Sequence, residues 1–144
     1  MLVRMDLAKI IIVENGDSQV IVLRERDGDR HFPILIGINE ALAIDRGVKG
    51  LQTSRPMTHD LMSTIIRQLD AELERIVIHE LRDHTFFAKL VLRRNGSVVE
   101  VDSRPSDAIA LGVVGETPIY VDDQVLQEVC PSGGFPSSPE AEPD

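Results

Sequence analysis

Residues 99–121, VEVDSRPSDAIALGVVGETPIYV, alternate at first, then turn apolar on nearly every side, then alternate again. Val99 and Val101 against Glu100 and Asp102 give the pattern of a strand with one face buried. Pro105 suits a first helical turn, where its missing N–H is an unbonded donor anyway. Asp107, two residues on, faces orphan backbone N–H groups and the positive helix end. Ala108, Ile109, Ala110, Leu111, Val113 and Val114 leave no polar stripe. The helix over 105–114 is therefore expected to be buried all round, its alanines admitting close neighbours. Gly115 ends it, and Pro118 opens a strand over 119–121.

The same reading gives strands over 2–14 and 18–26, parted by Asn15-Gly16-Asp17, an Asn-Gly hairpin signal. Asp27-Gly28-Asp29 turns into a third strand, 31–36, in which Pro33 marks a sheet edge or a bulge. Gly37 breaks that strand, and Asn39 is placed to cap a helix carrying Ala41, Leu42, Ala43 and Ile44, which Gly47 and Gly50 end. A polar connector covers 49–56. Thr58 is then placed to cap a helix with Asp60 in its first turn. Leu61, Met62, Ile65, Ile66 and Leu69 recur at helical spacing, a stripe expected to face the core. Strands over 74–82, 85–93 and 97–102 follow, joined at Asp83-His84 and Asn95-Gly96. Asp122 can cap a short last helix holding Val125, Leu126 and Val129. The expected class is α+β: a bent, mostly antiparallel sheet of hairpins with three helices and a short fourth packed on it. From Pro131 the chain reads PSGGFPSSPEAEPD, a composition that cannot repay ordering entropy. One domain over 1–130 and a disordered tail over 131–144 are expected.

Composition narrows the picture. A chain of 144 residues fits one domain. Apolar residues make up 42% and aromatics 3%, without Trp, so the core must be built from Leu, Ile, Val and Ala. The balance of 24 acidic and 15 basic residues, net −9, argues against tight nonspecific binding to a phosphate backbone, though a local basic patch remains compatible with it. Cys130 is the only cysteine, which excludes an internal disulfide framework and a Cys-based zinc site. The N-terminal MLVRMDLAKIIIVENG carries Asp6 and Lys9 inside its apolar run, with no cleavage site after it, unlike a signal peptide. No stretch reaches the roughly 20 apolar residues of a membrane span. A cytoplasmic protein without a membrane partner is expected.

Polar chemistry gathers at the junctions of elements. Asp102-Ser103-Arg104-Pro105-Ser106-Asp107 places two carboxylates, a guanidinium and two hydroxyls at a strand end and a helix start. Ser54-Arg55-Pro56 ahead of Asp60 echoes it. Helix capping and an Arg–carboxylate clamp explain these residues as structure; the same groups also supply a site. The stretch SRPSDAIALGVVGETPIYVDDQVL resembles the signature of the bifunctional nuclease domain family. FPILIGINEALAI (32–44), RPMTHDL (55–61) and ELRDHTFFAKLVL (80–92) agree with it, so the resemblance covers roughly residues 5–129. It implies a nuclease acting on DNA and RNA, nucleic acid as a weakly held partner, and a homodimer. His84 departs from the family pattern, where glycine is usual, and would strain a positive-φ turn.

Metal-dependent phosphodiester cleavage needs carboxylates converging on Mg²⁺ or Mn²⁺, often with a base for water. Within the matched stretches the catalytic candidates are Asp107, Asp102, Arg104, Asp60 and His59. Arg82 and Arg55 are candidates for substrate binding, and Asp107, Asp102 and Glu80 for metal binding. Simple alternation puts Ile76, Ile78, Glu80 and Arg82 on one strand face. Glu80 and Arg82 then project together, and they reach Asp102 if its strand is the neighbour. Each candidate also has a plain structural reading: His59 as a surface residue of a first turn, His79 packed on the face opposite Glu80, Asp83-His84 as a turn. No P-loop, Ser/His/Asp signature or zinc-spaced His/Cys cluster occurs. Two function classes stay open: a nuclease, and a non-catalytic regulatory or protein-interaction domain whose polar junctions are structural.

Overall fold

The computed structural model describes residues 1–13, 15–16 and 18–131. The tail expected over 131–144 therefore lies, beyond Pro131, outside the described residues. The elements run β1 (Leu2–Ile11), β2 (Gln19–Glu25), β3 (His31–Ile36), α1 (Ile38–Lys49), α2 (Thr58–Gln68), β4 (Ala71–Arg82), β5 (Thr85–Arg94), β6 (Ser97–Ser103), α3 (Pro105–Gly112), β7 (Ile119–Asp122) and α4 (Asp123–Val129). The strands form one sheet in the order β3-β2-β1-β7-β4-β5-β6. All pairings are antiparallel except β4–β7, where Ile76 lies beside Ile119 and Ile78 beside Val121 in parallel register. The fold is the expected α+β class. No helix among the described residues is long and apolar enough to cross a membrane.

The sheet bends around α3. Phe32 on the edge strand β3 meets Phe86 on β5, near the opposite edge, with ring centroids 5.5 Å apart. In the hollow, every residue of α3 except Asp107 is buried. Ile76, Ile78, Ala88, Leu90, Ile119 and Val121 from three strands pack in the same core, as do Ala41 and Ile44 of α1. Gly112 sets the distance of approach: a Cβ there would lie 2.5 Å from Cδ1 of Ile76 and 3.2 Å from Cβ of Thr117. Pro33 sits on an edge strand, as its missing N–H requires. Glu25 N donates to Arg30 O at 2.9 Å. Alternation from that bonded pair turns the N–H groups of Phe32, Ile34 and Ile36 towards β2 and the position of Pro33 towards the open edge.

Both tight hairpins turn through the left-handed region, which Asn95-Gly96 invites and His84 enters without glycine's freedom. Asp83 and His84 have φ of 53° and 64°, and Asn95 and Gly96 have 51° and 79°. His84 thus carries a side chain into the left-handed region that glycine enters freely. Helix starts differ from expectation. Gly37, not Asn39, is the N-cap of α1, and Gly47 lies within its last turn while Gly50, at φ 68°, ends it. Met57 is the N-cap of α2, with Thr58 its first helical residue. The helix α3 stops at Gly112, short of Val114. Asp122 caps α4 as expected, accepting from Gln124 N at 2.9 Å.

Three further expectations are overturned. In β6 Val99 and Val101, expected on a buried strand face, are 48% and 41% exposed, because an edge strand's alternation supplies no layer to cover it. Only Met62 and Ile66 of the α2 stripe pack on the core. Leu61, Ile65 and Leu69 are 52%, 48% and 54% exposed, because periodicity orients a stripe without supplying a neighbour to cover it. In β4 the register skips Glu74 and again His79. The second bulge reverses the alternation: Ile78 pairs with Ala88 on the core side, whereas Glu80 pairs with Phe87 on the other. Glu80 and Arg82 therefore do not share a face with Ile76 and Ile78.

Candidate functional site

The N-termini of α1, α2 and α3 converge, and each carries a polar side chain in its first turn. Glu40 is the third residue of α1, His59 the second of α2 and Asp107 the third of α3. Arg104, the N-cap of α3, ties them together. Its Nε donates to Asp107 Oδ2 at 2.8 Å, and its Nη2 lies 2.7 Å from the same oxygen. Nη2 also donates to Glu40 Oε2 at 3.1 Å. On the other side, Nε2 of His59 lies 3.1 Å from Asp107 Oδ1. The chain Glu40–Arg104–Asp107–His59 lines a cleft of about 530 Å³ together with Arg46 and Met57.

Exposure is graded across this network. The His59 side chain is 15% exposed and that of Arg104 65%, so the imidazole is sheltered while the guanidinium opens to solvent. An ionised carboxylate only accepts, so Nε2 of a neutral His59 carries the proton towards Asp107 and Nδ1 holds the free lone pair. Nδ1 has no hydrogen-bond partner among the described residues. A ring oriented by a carboxylate, with its second nitrogen free, has the arrangement of a general base. The bonds to Asp107, and secondarily to Glu40, raise the pKa of Arg104 above the ordinary guanidinium value and keep it charged. Nη1 stands outside these bonds, available to an oxyanion.

Of the catalytic residues expected from sequence, His59, Arg104 and Asp107 come together and Asp60 and Asp102 do not. Asp60 closes the start of α2, its Oδ2 accepting from Met57 N at 3.0 Å, and lines a different cavity. Asp102 pairs with Lys89 in the β5–β6 register, and Lys89 lies on the sheet face opposite buried Ala88. The first acid of the polar knot thus points away from the last. Glu80 pairs with Arg82 at 3.3 Å, and the Arg82 guanidinium sits 4.7 Å from the ring centre of Phe87. Strand β5 separates β4 from β6, so Glu80 does not neighbour Asp102. Arg55 is exposed in the connector ahead of α2. The trio Asp107, Asp102 and Glu80 is not brought together. Among the described residues no group of three or more His, Cys, Asp or Glu side chains is placed to hold a metal ion.

Glu40 and Arg46 were not anticipated. The signal for Glu40 lies in a repeat of position: Glu40, Asp60 and Asp107 are each the third residue of their helix. Which two would meet depends on helix packing, which one helix's sequence does not encode.

The sequence matches the bifunctional nuclease domain over residues 21–132, a span that contains Glu40, His59, Arg104 and Asp107. An uncharacterized protein of Mycobacterium tuberculosis is 41% identical over 119 residues, covering 82% of this chain and 71% of its own length. Bifunctional nuclease 2 of Oryza sativa subsp. japonica is 27% identical over 114 residues, covering 76% of this chain but 35% of the rice protein. Bifunctional nuclease 1 of Oryza sativa subsp. indica is 21% identical over 116 residues, with 78% and 35% covered. The chain corresponds to about a third of each rice protein.

Proposed function

The chain belongs to the bifunctional nuclease domain family, and on that premise we propose that it cleaves the phosphodiester bonds of DNA and RNA in the cleft between α1, α2 and α3. The observation that carries this reading is the pairing of His59 with Asp107 beside a guanidinium with spare donors. His59 is the general base that takes a proton from the attacking water, and Asp107 orients the ring and stabilises its charged form. Arg104 holds the non-bridging phosphate oxygens and offsets charge developing on them. Arg46, on the wall of the same cleft, adds a second cation. Because the chain carries net −9, substrate binding is weak and falls steeply with salt.

The test uses the purified full chain on plasmid DNA and on RNA, with His59→Gln and Arg104→Gln alongside. Each variant should lose cleavage by about a hundredfold or more while still melting cooperatively. Unchanged cleavage by both would remove the cleft from consideration.

One observation favours a second reading, a non-catalytic interaction domain. The same network staples three helices, and both of its acids already have partners. That reading expects no cleavage under any condition and a loss of stability in both variants. The homodimer implied by the resemblance is checked on the same preparation by light scattering.

A further inference from the structure

Resting on the nuclease reading of the same cleft, we infer that it works without a divalent cation: Arg104, clamped by Glu40 and Asp107, supplies at the scissile phosphate the positive charge that a metal ion would supply. The carboxylates of the cleft are Glu40 and Asp107, and each already accepts from Arg104 at 3.1 Å or less. Mg²⁺ takes octahedral oxygen ligands at about 2.0–2.1 Å, so it would have to share these two carboxylates with the guanidinium. A dication seated on them would lie beside a permanently charged guanidinium, and at such separations like charges repel strongly. Its other candidate ligands are committed elsewhere: Asp60 to Met57 N, Glu80 to Arg82, Asp102 on the far side of the sheet.

Charge balance gives the same answer. A metal-dependent site presents carboxylates whose repulsion the cation relieves. Here Glu40 and Asp107 are matched by Arg104 and Arg46 before any ligand arrives. An incoming phosphodiester thus meets two guanidiniums beside these acids rather than carboxylates alone. Glu40 touches neither substrate nor reacting atoms; it is a positioning residue that acts through Arg104.

In the hydrolytic step, a water oxygen forms a bond to phosphorus and the bond from phosphorus to one sugar oxygen breaks. The water proton passes to Nδ1 of His59. The departing oxygen takes a proton from solvent, and the imidazolium later returns its own. One water is consumed, leaving a phosphate monoester and a free hydroxyl.

The full chain, stripped of metal, is assayed on plasmid DNA and RNA in excess EDTA and across a Mg²⁺ and a Mn²⁺ series. Mn²⁺ binding to the free protein is read in parallel by electron paramagnetic resonance. The inference expects cleavage in EDTA at the rate seen with Mg²⁺ and no stoichiometric Mn²⁺ site. Glu40→Gln should lower kcat/KM about tenfold to a hundredfold through a loosened Arg104, without creating a metal requirement, and Glu40→Asp should recover part of it. Cleavage abolished by EDTA, or a stoichiometric Mn²⁺ site lost in Asp107→Asn, overturns the inference and leaves the nuclease reading standing. Absence of cleavage in every condition overturns the nuclease reading itself, and this inference with it.

Discussion

Gly112→Ala tests whether α3 lies as close to the sheet as described. Two effects of opposite sign compete. Alanine favours a helix over glycine by about 1 kcal/mol in an ordinary interior position. Against that, the new methyl would stand 2.5 Å from Cδ1 of Ile76 and 3.2 Å from Cβ of Thr117. Cδ1 ends a flexible side chain, which would make the clash cheap at the surface. Ile76, however, is fully buried in a close-packed core, where a side chain moves aside only by displacing its neighbours. Overpacking of this kind costs about 1–3 kcal/mol, so the net effect is a destabilisation of about 0–2 kcal/mol, with the middle of that range expected. At about 2–8 °C per kcal/mol for domains near this size, the melting temperature falls by several degrees. Ile76→Val provides the internal control, since it deletes the methyl that the new Cβ would strike. Alone it costs about 0.5–1.5 kcal/mol. Combined with Gly112→Ala it should cost less than the two single losses added together. Calorimetry of the four proteins measures the cycle. A melting temperature for Gly112→Ala at or above the parent, or strict additivity in the double variant, would refute the close approach of α3 to β4.

Three further outcomes follow from the same geometry. Asp107→Asn should lower cleavage by about a hundredfold or more, since it weakens both the orientation of His59 and the stabilisation of its charged form, while costing about 1 kcal/mol in stability; side-by-side kinetics and melts separate the two. Leu111→Asp places an unpaired charge where the side chain is 4% exposed, and circular dichroism should show a chain without a cooperative transition. Glu25 accepts from Arg30 at 2.8 Å, which holds its carboxyl below the ordinary glutamate range. A depressed folded pKa gives stability that is complete above the unfolded value and is lost as pH falls through the folded one. Urea midpoints of the parent should therefore drop on acidification below the unfolded glutamate pKa of about 4.3, and Glu25→Gln should show a shallower drop.

Local signals were legible wherever a short stretch settles its own conformation. The strand at residues 31–36, the Asn95-Gly96 turn, the cap at Asp122 and the all-round burial of α3 are each written within a few residues. Pro33 narrowed its strand to a sheet edge or a bulge, and the edge is where it lies. What stayed hidden was set by partners distant in the chain. The bulge at His79 turns Glu80 away from the core face, and nothing in the alternation of 74–82 marks the skipped residue. The exposed half of the α2 stripe has the same spacing as the buried half. The site was half legible: the knot at Arg104 and Asp107 pointed to it, but His59 and Asp107 are 48 residues apart and Arg104 and Glu40 are 64. Only the packing of three helix ends selects those pairs over Asp102 and Asp60.

The placement of β7 bears on how the chain reaches this structure during synthesis. Four residues near the end of the described chain hold the middle of the sheet, with β1 on one side and β4 on the other. Until they leave the ribosome, the hairpins before and after the first helices have no shared partner, and two inner strands present open edges. Those edges are templates for pairing with other chains, and the delay is lengthened because pairings so far apart in sequence form slowly. A nascent chain stalled before residue 119 should accordingly resemble two loose sheets rather than most of a finished one, and would depend on chaperones that shield strand edges.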